Sequence, residues 1–242
     1  MKTAFFSDVH ANLEALLAVM KDAETEGVKK YYFLGDAVGY GPNPNECLEI
    51  ICNNASICLM GNHDYAALGL LDTSCFNDYA KQAIDFTERV LTEDNKRRLA
   101  NFELEYIYDD FHLVHSTPKI PNHWDYILTM EDAEANFPYT KKNICLIGHS
   151  HFPVIIEKAN GSEAKLLGGN EVKIDKTKKY IINIGSVGQP RDNNPDSCYL
   201  IYDTKSKTAR LKRVGYDIKL TQKKMEEAGL PKYLIERLGK GR

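Results

Sequence analysis

The chain has 242 residues, enough for one large core or two small ones, and its 43% apolar and 27% charged residues are the proportions of a folded protein. A formal net charge of -3 excludes a charge-swollen disordered chain and argues against a basic nucleic-acid-binding surface. The first apolar stretch is too short for a signal peptide, and no run approaches the ~20 apolar residues that span a bilayer. The expected compartment is therefore the cytoplasm, with no membrane partner.

In chain order, TAFFSDVH begins with an apolar run that stops at Asp8 and His10. Leu13, Leu16, Leu17 and Met20 follow at helical spacing, with Asn12 as N-cap. YYFLGD is a second run, and NPNECLEIIC predicts a helix capped by Asn45. SICLMGNHD comes next, then a single predicted helix from Asp78 to Leu99. FHLVHS and NICLIGHSH complete five runs, each ending in a residue that can bind metal or move a proton. Such short apolar runs predict strands buried on both faces, with their polar tips gathered along one sheet edge. Strands alternating with helices indicate an α/β fold.

After residue 150 the runs VIIE, AKLL, EVKI, KYIINI, CYLIYD and ARLKRV are β-prone and separated by turn residues. Because GHSH at the junction belongs chemically with the first half, residues 1–242 are expected to form one domain with two packed sheets. From about Asp217 two helices, broken at Gly229-Leu230-Pro231, are expected to dock outside, within the chain or across a dimer. The six cysteines (Cys47, Cys52, Cys58, Cys75, Cys145, Cys198) contain no Cys-x-x-Cys pair and are expected to be reduced core residues.

Asp8 with His10, and His149 with His151, are pairs two residues apart that alternation along a strand points the same way. Asp36, Asn62 and His115 at neighbouring tips bring the oxygen and nitrogen donors to seven. Seven is too many for one small ion and suits two that share a carboxylate. Carboxylate, amide and imidazole donors without thiolate favour manganese, iron or zinc. Two such ions clamp the oxygens of an in-line displacement and activate a bridging water, which points to phosphoryl transfer. His112, three residues before His115, faces the other side of its strand and is expected to be packed or exposed. His123 and Trp124 are expected to line the entrance or anchor a loop.

The motifs SDVH, GDAVGYG, GNHD, VHSTP and GHSH, in this order, resemble the calcineurin-like metallophosphoesterases. The resemblance implies a four-layer α-β-β-α sandwich of two mixed sheets flanked by helices. It also implies one metal on Asp8, His10, Asp36 and His151 and a second on Asp36, Asn62, His115 and His149. His63 would then assist the leaving oxygen, and Asp64 would orient it, or cap the following helix. GDAVGYGPNP, GNHDYAA, NIGSVGQPRD and the closing AGLP and ERL resemble a bacterial branch similar to small protein phosphatases and diadenosine polyphosphate hydrolases. One departure is His115-Ser116-Thr117-Pro118, where many relatives have His-Gly-Ser-Pro; the ligand is kept and the shape of the next loop is open.

The expected activity is dinuclear-metal hydrolysis of a phosphorylated small molecule or phosphoprotein by a metal-bridging hydroxide. A dinucleotide (dinucleoside polyphosphate) substrate is the second reading, and a non-catalytic metal-binding scaffold the third. The loops Val38–Asn45 and Ser186–Asn194 are expected to govern substrate choice. Asn12, Tyr40 and Arg191 are the candidate substrate contacts, with a surface ion pair as the alternative role for Arg191.

Overall fold

The computed structural model describes residues 1–242 apart from the side chain of Cys75. The first half runs β1 (Lys2–Phe6), α1 (Leu13–Thr25), β2 (Val28–Phe33), α2 (Pro44–Asn54), β3 (Ala55–Cys58) and α3 (Asn62–Ala67). It continues with α4 (Asp78–Val90), α5 (Glu93–Leu99), β4 (Glu105–Tyr108), β5 (Phe111–Val114), α6 (Met130–Asn136) and β6 (Ile144–Ile147). The second half is strand-rich as expected: β7 (Val154–Ala159), β8 (Lys165–Leu167), β9 (Glu171–Lys173), β10 (Lys178–Asn183), β11 (Ser197–Asp203) and β12 (Thr208–Val214). The helices α7 (Ile218–Glu227) and α8 (Lys232–Leu238) follow.

The strands form two mixed six-stranded sheets, ordered β3-β2-β1-β11-β12-β9 and β4-β5-β6-β10-β7-β8. Alternation along each strand gives each sheet two apolar faces. Phe5, Leu146, Ile182 and Leu200 point into a core shared by the two sheets. Their neighbours Ala4 and Phe6 pack with Leu16, Val19, Leu48 and Ile51 of α1 and α2. On the opposite outer face, Cys145, Ile147 and Ile181 meet Ala133 of α6 and Phe137 just beyond it. The four layers are therefore helix, sheet, sheet, helix.

The predicted gathering of tips on one sheet edge needs correction. β1, β2 and β3 are parallel neighbours in the first sheet, whereas β5, β6 and β10 are parallel neighbours in the second. Their carboxyl ends meet across the two facing sheets. The loop after β10 fastens them: Val187 N–H donates to Ser7 O at 3.0 Å, and Ser186 Oγ donates to Asp8 O at 2.8 Å.

Three local expectations also change. α2 starts at Pro44 behind Asn43, so Asn45 is not its cap; Asn45 instead accepts from Thr92 N and donates to Val90 O. The helix predicted over Asp78–Leu99 stops at Val90 and restarts at Glu93, because extended Leu91 and Thr92 intervene and Thr92 Oγ1 accepts from Asn95 N. EYIY forms an additional strand, β4, antiparallel to β5. The break at Gly229-Leu230-Pro231 stands, and Met225, Leu234, Ile235 and Leu238 of α7 and α8 pack with Tyr40, Ala80 and Ala83.

Cys47, Cys145 and Cys198 are buried, Cys52 and Cys58 are half-buried, and all five are free thiols; Cys75 falls outside the described residues. Among the described residues no helix is long and apolar enough to cross a membrane.

Asn12 caps α1 as expected, accepting from Ala15 N at 3.2 Å. Its Nδ2 donates to Gly188 O at 2.8 Å and its Oδ1 accepts from Thr221 Oγ1 at 3.1 Å, so both ends of the buried amide are spent on the fold. Asn12→Ala removes a cap and leaves buried partners unsatisfied, and is expected to cost about 2–4 kcal/mol. Urea unfolding would register this as a lower midpoint at unchanged slope.

Candidate metal centre

β1 ends at Phe6 and β6 at Ile147, so Asp8, His10, His149 and His151 lie beyond the strands and not on them. Their convergence comes from backbone turns, not from strand alternation. Asp8 (φ 54), His10 (φ 48), Asp36 (φ 59), His149 (φ 66) and His151 (φ 59) all occupy the left-handed region. Each such residue costs about 1–2 kcal/mol, and strain of this kind collects at functional sites.

The turns are held by hydrogen bonds that the folded chain supplies. Asp64 accepts from the N–H groups of Asp36 (2.8 Å), Ala37 (2.9 Å), Val38 (3.2 Å) and Gly61 (3.0 Å). It thus clamps the Asp36 turn and caps α3. These bonds correct the expectation that Asp64 orients His63, and the capping alternative stands. Burial and the Asp36 charge raise the Asp64 pKa to about 7, against the pull of its N–H donors.

Close approach accounts for two glycines. A Cβ on Gly61 would lie 2.0 Å from Asp36 Oδ1, and one on Gly148 would lie 2.4 Å from Asp8 Oδ2. Any larger residue would displace a carboxylate. Ser116, at the position where the motif departs from its relatives, closes its loop by donating to Pro121 O at 2.7 Å.

Four buried imidazoles surround the two carboxylates, and each uses one nitrogen on a main-chain carbonyl. His10 Nδ1 donates to Val38 O (3.0 Å), His115 Nδ1 to Leu34 O (2.8 Å), His149 Nε2 to Trp124 O (2.8 Å) and His151 Nδ1 to Gln189 O (2.6 Å). A carbonyl can only accept, so in each neutral ring the opposite nitrogen is a bare lone pair. His10 Nε2 and His151 Nε2 then face each other at 3.0 Å. Two lone pairs at that distance repel unless a proton or metal ion lies between them.

The carboxylates complete the arrangement. Asp8 Oδ1 is 3.2 Å from His151 Nε2 and 3.9 Å from His10 Nε2. Asp36 Oδ2 is 3.5 Å from His10 Nε2 and 3.4 Å from His115 Nε2, while its Oδ1 accepts from His63 N at 2.9 Å. The donors fall into two groups that share Asp36: Asp8, His10, Asp36 and His151, and Asp36, His115 and His149. Within each, the donor atoms lie within 4.8 Å of one another. Asn62 Oδ1 and His115 Nε2 are buried without a hydrogen-bond partner. Two buried carboxylates among bare lone pairs and orphaned acceptors fit a pair of cations. Uncompensated, such buried charge costs several kcal/mol per group.

The other predicted residues divide. His63 is buried with its ring centroid 4.4 Å from Tyr40, 4.8 Å from His10 and 5.1 Å from Phe76, and its Nδ1 has no partner. Burial lowers its pKa to about 4 despite the Asp36 charge. Arg191 has its guanidinium 5.7 Å from the Tyr40 ring centroid and donates to the Tyr40 hydroxyl at 3.4 Å, not to a surface carboxylate. His112 is buried with Nε2 3.1 Å from Glu105, away from the cluster. Trp124 anchors its loop through the carbonyl that holds His149, while His123 is exposed. Tyr126, which the sequence did not single out, stacks on His149 at 4.1 Å; a lone loop tyrosine carries no signal of such a role.

Without metal, a proton occupies part of the cation's place. Burial pushes the His115 pKa down, but the nearby Asp36 charge, with help from Asp8, outweighs it and raises the pKa to about 9. A metal must displace that proton, so affinity is expected to rise with pH, by about tenfold per unit, until pH 9. Adding metal to the stripped protein in weak buffer at pH 7.5 should release about one proton per chain from this ring. A pH electrode reads the release directly.

The sequence model of the calcineurin-like phosphoesterases matches residues 1–178. An uncharacterized protein of Methanocaldococcus jannaschii is 40% identical over 245 residues, which cover 99% of this chain and 98% of that protein. The crystal structure of a metallophosphoesterase from Sphaerobacter thermophilus is similar over 100% of this chain and 99% of its own, with a TM-score of 0.88 and 37% identity. A hypothetical protein from Pyrococcus horikoshii OT3 shares the fold at 18% identity, with a TM-score of 0.79 over 100% of this chain and 98% of the other. The shared Asp36, the two donor groups and these matches lead to one assignment: the chain belongs to the calcineurin-like phosphoesterases.

Proposed function

We propose that this protein holds two metal ions, one on Asp8, His10, Asp36 and His151 and one on Asp36, Asn62, His115 and His149, and hydrolyses phosphate mono- or diesters. The observation that carries the reading is the position of Asp36 Oδ2, 3.5 Å from one donor group's imidazole and 3.4 Å from the other's. When bound, a pair of such ions supplies Lewis acidity toward phosphoryl oxygens and an activated water. Manganese, iron and zinc all suit the donor set.

The chain's own residues orient and exclude. The carbonyls of Leu34, Val38, Trp124 and Gln189 hold four imidazoles in one tautomer each, so the donors need no rearrangement when charge develops. Arg191 offers a guanidinium to a phosphoryl oxygen from beside Tyr40. His63, wedged between Tyr40 and Phe76, is neutral near pH 7 and brings an N–H donor to the departing oxygen. Free thiols at five cysteines suit the reducing cytoplasm, which we propose as its compartment.

Phosphomonoesters, phosphodiesters, phosphopeptides and dinucleotides, each tried with manganese, iron, zinc and nickel, test the reading. Hydrolysis should appear with at least one metal, disappear on chelation, and fail in Asp36→Asn with loss of both ions by metal analysis. Two bound ions with no cleavage across the panel would sink the enzymatic assignment.

His63→Ala should lower kcat by about 10²–10⁴-fold while metal content stays at two per chain. Equal turnover in the variant removes His63 from the chemistry.

A further inference from the structure

A cavity of about 350 Å³ opens between residues 127–130, which lead into α6, and the strands β7 and β8. That volume lies at the lower end of the roughly 300–1,000 Å³ of small-molecule sites. Ile127, Met130, Val154 and Ile156 line it and belong to the apolar layer between α6 and the second sheet. Leu128, Phe152 and Leu166 line it from the solvent side. Among the described residues, Leu128 at 69% and Leu166 at 60% are the most exposed large apolar side chains. No charged residue lines the cavity. Bare leucines gathered around one opening are unfavourable in water and point to an occupant.

The cavity shares a wall with the metal donors. Ser150, the residue between His149 and His151, lines it, and so does Phe152, which follows His151 directly. On the other wall, Ile127 follows Tyr126, whose ring stacks on His149 at 4.1 Å. Consecutive Cα atoms lie about 3.8 Å apart, so the wall begins one residue from two donors. Asn183 Nδ2 fixes this junction, donating to Gly148 O at 2.6 Å and to Ser150 Oγ at 2.9 Å. The occupant best placed here is the organic group bonded to a phosphate at the metal centre.

The hydrogen bonds of the wall decide what kind of group that is. The N–H groups of Leu128 and Thr129 both donate to Asp132 Oδ2, and Thr129 Oγ1 accepts from Asp132 N. Ser150 Oγ already accepts from Asn183 and, at 3.4 Å, from Phe152 N–H. A nucleobase carries several donors and acceptors along its edge, and leaving them unpaired against such a wall is costly. An alkyl chain requires none, and gains about fourfold in affinity for each methylene fully buried. We propose that this cavity receives an aliphatic chain carried by the phosphate at the metal centre, so that the substrates bound best are alkyl phosphate esters. This rests on the phosphoesterase reading above and names its substrate class.

The test is calorimetry of metal-loaded protein with methyl-, butyl-, hexyl- and octylphosphonate, which resist hydrolysis, with metal content verified before and after. Octylphosphonate below its micelle concentration should bind at least about tenfold tighter than butylphosphonate. In a Leu128→Gln, Leu166→Gln double variant that ratio should fall about threefold or more, while methylphosphonate affinity stays within about twofold. No gain from butyl to octyl, or an unmoved ratio in the double variant, overturns the proposal. If the double variant melts below the assay temperature, Leu166→Gln on the edge strand β8 decides: a fallen ratio supports the cavity and an unmoved one overturns it. Phenylphosphonate matches hexylphosphonate in carbon count, and binding as tight or tighter by the aromatic probe overturns the aliphatic assignment. Sedimentation that shows a dimer dissociated by the double variant makes the cavity an interface between two copies and also overturns it. Phosphate ester hydrolysis without chain-length dependence keeps the enzyme and discards the cavity's role. A chain-length gradient that falls in the variant, in a protein that cleaves nothing, does the reverse.

Discussion

The site turns on lone pairs that face one another. Main-chain carbonyls take one nitrogen of each imidazole, so the nitrogens left over point at two buried carboxylates and at each other, as His10 and His151 do at 3.0 Å. Such a cluster is electrostatically incomplete, and cations are what complete it. The left-handed turns, the tight glycines and the Asp64 clamp all serve to hold acceptors where they would otherwise separate. An Asp64 carboxylate satisfied by four main-chain N–H groups keeps Asp36 in place for both donor groups.

The two-sheet architecture makes that concentration of donors affordable. Parallel strands deliver their carboxyl ends to one side, where α/β sheets commonly bind ligands, and facing two sheets doubles the number of tips in one place. β1, β2 and β3 contribute from one sheet; β5 and β6 contribute from the other. The loop after β10 bridges the two through Ser186 and Val187 and supplies the Gln189 carbonyl that sets the His151 tautomer. The loops Val38–Asn45 and Ser186–Asn194 are therefore parts of the donor scaffold, through the carbonyls of Val38 and Gln189. The terminal helices extend the same logic outward, placing α8 against Tyr40.

Where the reading of local segments failed, the reason is visible. A segment without Gly and Pro over residues 78–99 reads as one helix, yet Thr92 ahead of Glu93 and Asp94 is an N-cap with an acidic first turn inside it. Asn45 looked like a cap because it precedes an apolar stretch; Pro44 in the first helical position moves the cap back to Asn43. Asp64 beside His63 suggested a partner for the ring, and only the folded chain shows its oxygens turned toward amides 26 to 28 residues away.

The six clustered donors, Asp8, His10, Asp36, His115, His149 and His151, were legible because chemistry resides in side-chain identity, and an acid or imidazole that closes an apolar run has no packing reason to be there. Their pairing into two groups around Asp36 follows the motif order as well. The sequence alone could not say which carbonyl holds which ring, that five donors sit in left-handed turns, or that the chain after α8 comes to lie against the loop of Arg191. Main-chain groups are the same at every residue, and contacts between distant segments exist only once the sheets have packed; tertiary structure decided those.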